Sequence, residues 1–123
     1  MNVFLWILQA LLAAMFLMAG VMKATQPKEK IAAKLPWAED YSAGTVRFIG
    51  IVELLAAVGL ILPAALGILP VLTPLAATGL AVVMVLAMNV HRRRNEPGAI
   101  AFNAAILVVA AVVAWGRFGP HAF

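Results

Sequence analysis

Apolar residues along this chain gather into four long blocks, separated by short polar or turn-rich connections. The blocks predict helices over about residues 3–22, 45–62, 70–90 and 97–115. At 1.5 Å per residue each spans roughly 27–32 Å, which matches a hydrocarbon core about 30 Å thick. Asn2 is the expected N-cap of the first helix and Ser42 of the second, which Pro63 is expected to stop. Thr73 and Pro74 mark a restart or bend in the third, and Pro97 follows Asn95 at the start of the fourth. The expected architecture is all-α: a four-transmembrane-helix bundle in one membrane domain over residues 1–123, with a short interfacial segment between helices 1 and 2.

That segment lies in the longest connection, Lys23 to Gly44. Pro27 suits a helix start, Ile31 and Leu35 share a face at i, i+4, and Trp37 and Tyr41 flank Glu39 and Asp40. The pattern predicts an amphipathic piece on the membrane interface, anchored by its aromatics; the plain alternative is a cytosolic loop. The connection PAALGILP carries no charge and reads as a tight or partly buried outer turn.

Composition agrees with lipid as the solvent. Of 123 residues, 65% are hydrophobic and 11% charged, too little polar surface for a water-soluble domain. The formal charge of +4 comes from basic residues in two connections, not from a basic soluble domain, so nucleic acid is not an expected partner. Lys23, Lys28, Lys30, Lys34, Arg47 and Arg92 to Arg94 make eight of the nine basic residues on one side, with Arg117 on the other. The positive-inside rule puts that side in the cytoplasm and both termini outside. The first block has no basic leader and is long enough to span, so it is expected to be a retained helix. The chain has no cysteine, which removes disulfides, thiol relays, iron–sulfur ligation and thiolate zinc from its chemistry.

Small residues must let helices approach in lipid. Ala10, Ala14 and Gly20 serve helix 1, Gly50, Ala57 and Gly59 helix 2, Ala77 and Ala81 helix 3, and Ala101, Ala105, Ala110 and Ala114 helix 4. They suit a compact bundle and equally contacts between subunits.

Glu53 is the one carboxylate inside any of the four blocks. An ionised acid near a helix centre costs roughly 2.5–3.5 kcal/mol on insertion scales, which makes Glu53 a candidate functional group. Asn103 is expected within about one turn of the same depth, and Lys23, Arg47 and His91 near the cytoplasmic helix ends. Arg47, Gly50 and Glu53 recur every three residues. Arg47 and Glu53 are then about 120° apart, too far for a direct pair, yet both can border one interior cavity with Gly50 leaving room. Lys23 is the better partner for Glu53. The candidate ligand-binding or polar-locus residues are Lys23, Arg47, Glu53 and Asn103, with Gln9 and His91 weaker. The bland reading of the same set is a polar brace between helices. His91 and His121 fall on opposite sides, which excludes a bis-His haem, and the methionines read as packing; no catalytic or metal-ligating residue is assigned.

FLMAGVMK (16–23), RFIGIVELLAAVGLILP (47–63) with its Arg-x-x-Gly-x-x-Glu spacing, and PVLTPLAATGLAVVM (70–84) together resemble the DoxX-like family of small bacterial four-helix membrane proteins. The resemblance implies a plasma-membrane protein. Its relatives include a subunit linked to thiosulfate:quinone oxidoreduction, members of oxidative-stress complexes, and assembly helpers. The expected function is an accessory or interaction subunit, or an assembly factor, of a respiratory or oxidative-stress membrane complex rather than an enzyme by itself. It needs no cofactor of its own, with a quinone or lipid as candidate ligand and membrane lipids, protein partners or further copies of itself as partners. Two alternatives are a quinone-linked redox subunit using Glu53 near the head group, and small-solute or proton transport by an oligomer.

Overall fold

The computed structural model describes residues 1–122. Its elements are α1 (Asn2–Thr25), α2 (Lys28–Lys34), a 3-10 turn (Pro36–Asp40), α3 (Ala43–Leu66), α4 (Leu72–Arg93) and α5 (Pro97–Phe118), with no strand among the described residues. The four long helices are apolar and long enough to cross a membrane. They pack as two antiparallel hairpins in space, α1 against α3 and α4 against α5, joined chiefly through α3 and α4.

The helices outrun the apolar blocks at most of their ends. Asn2 is the first residue of α1, with Met1 preceding it as cap, so it does not cap the helix. Its side chain serves Arg117 instead. Ser42 does cap α3, its Oγ accepting from the Thr45 N–H at 3.1 Å.

Pro63 does not stop its helix; α3 continues to Leu66. Proline lacks the N–H that would bond the carbonyl four residues back, which is Gly59. In lipid that carbonyl must find another donor. Thr73, at the start of α4, supplies it: its hydroxyl donates to Gly59 O at 3.1 Å. The orphan created by Pro63 therefore becomes the seam between α3 and α4. The helix closes at Gly67, whose left-handed φ of 69° lets the Ile68 N–H reach back to Pro63 O at 2.9 Å. The uncharged loop that follows is exposed, with Ile68 and Leu69 on its surface, and is not buried.

The expected interfacial segment is present as α2 and the 3-10 turn. Ile31, Ala38 and Val46 form a small core of their own, with Leu35, Trp37 and Tyr41 packed beside it. A larger apolar core joins the four spans, from Leu12 and Phe16 to Leu60, Leu80 and Val113. Several small residues expected at helix contacts face outward instead, among them Ala10, Ala14, Ala101 and Ala105. Ala13, Gly20, Gly50, Ala57, Ala77 and Ala110 line the interior.

The closest approach is between α1 and α3. A Cβ on Gly50 would stand 2.6 Å from Lys23 Cβ and 2.7 Å from the Ala24 nitrogen. A Cβ on Gly20 would stand 2.8 Å from Gly50 O. The space at Gly50 is thus filled by the α1 backbone and is not part of a cavity between Arg47 and Glu53. Replacing Gly50 by Ala is expected to cost about 1–3 kcal/mol through overpacking. Unfolding in mixed detergent micelles, with denaturant titrated against helix content, reads this directly; an unchanged midpoint would contradict the crossing.

Candidate functional site

The crossing of α1 over Gly50 determines what Glu53 meets. Lys23 lies one turn beyond Gly20 on α1, and Glu53 one turn beyond Gly50 on α3. With the backbones pressed together, the Lys23 stem runs along α3 and its Nζ donates to Glu53 Oε1 at 2.7 Å. Both side chains are buried, at 10% and 2% exposure. Glu53 is ten residues into α3, about 15 Å from its start and so close to mid-span. At that depth two charges are tolerable only as a pair with good geometry.

Arg47 stands apart from this pair. It is exposed on the first turns of α3, and its Nη1 donates to Ala24 O at 3.2 Å. There it satisfies an orphan carbonyl at the C-terminal end of α1, where the helix dipole also favours a cation. All three residues of the Arg-x-x-Gly-x-x-Glu spacing therefore grip the last turns of α1: Arg47 its end, Gly50 its backbone, Glu53 its lysine.

Lys23 has a second neighbour. The Trp37 ring, carried by the 3-10 turn, lies 5.4 Å from Lys23 Nζ in cation–π range and meets Tyr41 edge-on at 5.9 Å. Trp37 and Tyr41 thus act as more than interface anchors. They cover the basic end of a cavity of about 600 Å³ bounded by all four spans. Lys23, Glu53 and Asn103 stand in its wall, with Asn89 and Arg93 toward the basic end and Phe16, Met84 and Ile106 among its apolar lining. Asn103 is 7% exposed, and its Nδ2 has no hydrogen-bond partner among the described residues.

The cavity sits where the two hairpins are least bound to each other. At the opposite end they are fastened by Thr73 on Gly59 and by Leu5 against Gly116. Gln9 adds to that end: its Nε2 donates to Leu60 O at 2.7 Å, and its Oε1 accepts from Arg117 Nε at 2.7 Å. Arg117 also donates to Asn2 Oδ1 and His121 O, and stacks near Trp6 at 5.7 Å. Gln9 therefore belongs to a distal polar knot, away from Lys23 and Glu53. Arg117, expected on the side opposite the other eight basic residues, is buried within that knot at 3% exposure.

His91 lies in the last turn of α4 outside the cavity wall, with Nδ1 2.8 Å from Glu96 Oε1. Over the basic end, Arg94 Nη1 reaches Asp40 Oδ2 at 2.6 Å and ties the α4–α5 loop to the 3-10 turn. That hydrogen bond holds the Arg94 guanidinium above its ordinary range. Asn89, Arg93, Trp37 and Tyr41 were not singled out by sequence as parts of a pocket. The aromatic spacing of Trp37 and Tyr41 was the available signal, and it points to an interface without saying what lies beneath.

A model of the DoxX-like family matches residues 7–113. No curated protein matches the chain, and no solved structure does.

Removing one partner of the buried pair leaves an uncompensated charge. Lys23→Met is expected to cost about 3–5 kcal/mol, and Lys23→Met with Glu53→Met to recover most of that loss. Reversible unfolding of the native chain, Lys23→Met, Glu53→Met and the double variant in the same micelles tests it. Additive losses in the double variant would show that the two side chains do not act as a pair.

Proposed function

The chain belongs to the DoxX-like family and is a multi-pass membrane protein, and from that premise we propose an accessory subunit that shelters one amphiphilic molecule between its two hairpins. The observation that carries this reading is the cavity of about 600 Å³ with Trp37 and Tyr41 in its lining and a buried ion pair in its wall. Such a volume falls in the range of small-molecule sites, and a mostly apolar wall with a few convergent polar groups suits a ligand with a head group and a hydrocarbon part. Met15, Phe48, Leu86 and Phe102 line the cavity while exposed to the surroundings, so a tail can leave sideways between helices. The chain has no thiol, so any thiol-dependent redox step belongs to a partner. Ala10, Ala14, Ala101 and Ala105 face outward and permit a partner helix to approach closely.

The test is retention of ligand. Native mass spectrometry after purification in mild detergent is expected to find one amphiphile per chain, and Ala19→Trp, which fills the cavity, to lower its occupancy about tenfold or more. A native chain free of any bound amphiphile would reject the reading.

A second reading rests on the 2.7 Å Lys23–Glu53 contact in the cavity wall. In a quinone-linked redox subunit Glu53 exchanges the proton and Lys23 polarises the head-group carbonyl, with the electron donor on another chain. Glu53→Gln then slows turnover of the assembled complex by about 100-fold or more. Unchanged turnover would remove it.

The orientation we propose has the basic end in the cytoplasm of a plasma membrane. Asp40–Arg94 joins the two basic connections at one end, and Asn2–Arg117 joins the terminal segments at the other. Because the chain has no cysteine, single substitutions report cleanly. An impermeant thiol reagent on intact cells is expected to label Ala122→Cys and to spare Lys30→Cys and Arg92→Cys; the reverse pattern inverts the topology.

A further inference from the structure

Within the proposed amphiphile site, on which this inference rests, one polar group has no work to do in the folded chain. Asn103 is buried, stands in the cavity wall, and its Nδ2 has no partner among the described residues. An amide buried without a hydrogen bond is a standing cost in any protein and a larger one in lipid, where no solvent replaces the bond. Asn103 comes from α5, on the far hairpin from Lys23 and Glu53, so it brings a donor to the same cavity wall from another helix.

We propose that Asn103 orients the bound molecule by donating to a carbonyl oxygen of an uncharged head group, and that the cavity takes an amphiphile of this class. The deep wall supports the absence of charge. Lys23 and Glu53 neutralise each other at 2.7 Å, so neither an anionic nor a cationic head group finds a net counter-charge there. Arg93, the one cation in the cavity lining without an acidic partner among the described residues, is exposed at the basic end, where leaving it unpaired costs little. The volume sets the size of the part held between the helices. At about 30 Å³ per water-sized group, 600 Å³ holds about twenty non-hydrogen atoms, enough for a head group and the first part of a chain whose remainder leaves sideways.

Three probes with one skeleton separate the possibilities: decanophenone, decylbenzene without the carbonyl, and 4-decylbenzoate with a charge. Trp37, in the cavity wall, reports binding in the full chain carrying Trp6→Phe and Trp115→Phe. Decanophenone is expected to bind about five- to tenfold tighter than decylbenzene, the factor of one hydrogen bond, and Asn103→Leu to abolish that preference while still binding decylbenzene. Equal binding of the two in the native cavity, or a preference that survives Asn103→Leu, overturns the role of Asn103. Tighter binding of 4-decylbenzoate overturns the uncharged class and shifts recognition to Arg93. If none of the three binds, the amphiphile site itself fails, and this inference with it. Without ligand, Asn103→Leu is expected to melt no lower than the native chain; a lower midpoint would mark Asn103 as a brace and also overturn the proposal. Extraction of the chain from native membranes distinguishes the sources of the carbonyl. A ring ketone or an uncharged ester supports the class, and an anionic phospholipid as the sole occupant contradicts it.

Discussion

The structure depends on how closely α1 can lie on α3. Without a hydrophobic force between helices in lipid, close backbone packing and buried polar contacts must hold the pair. Gly20 and Gly50 let the two backbones touch, and that contact carries Lys23 to Glu53. The ion pair can exist at mid-span because the glycines remove the side chains that would separate it. In turn the pair ties the last turn of α1 to the middle of α3 and fixes where the following segment begins. Trp37 then falls within cation–π range of Lys23, so the cover of the cavity is positioned by the same crossing.

The two ends of the bundle are built differently. At one end Thr73 donates to the orphan Gly59 carbonyl, Gln9 donates to Leu60 O and accepts from Arg117, and the hairpins are fastened. The orphan at Gly59 exists because Pro63 has no N–H, so a residue that weakens a helix in isolation strengthens a contact between helices. At the other end the hairpins separate around a cavity, and the tie across it is the exposed Arg94–Asp40 contact. An exposed pair of this kind contributes little to stability. A bundle fastened at one end and loosely latched at the other is suited to admit a molecule from the membrane without unfolding.

This arrangement also separates two roles that a list of polar residues would merge. Arg47 and Gln9 donate to backbone carbonyls of neighbouring helices and belong to the frame. Lys23, Glu53 and Asn103 face the cavity. The DoxX-like family membership agrees with the membrane architecture.

Much of the fold was legible along the chain, because lipid imposes simple rules. Four apolar blocks of spanning length, basic residues in two connections, and a lone mid-span acid follow from counting residues, and they specify a four-helix membrane bundle. The isolation of Glu53 from Arg47 also follows, since helical geometry fixes angles within one helix. What tertiary structure decided are relations between helices. The local sequence marks Pro63 as a stop because the donor that rescues Gly59 lies ten residues further on, in another helix. Arg117 reads as the lone basic residue on its side until Gln9 and Asn2, more than a hundred residues away, are brought to it. The cavity belongs to no segment, since its wall takes side chains from every span. Periodicity and charge act within a helix, whereas rotation about its axis is set by what its neighbours allow, and only packing reveals that Asn103 faces inward without a partner.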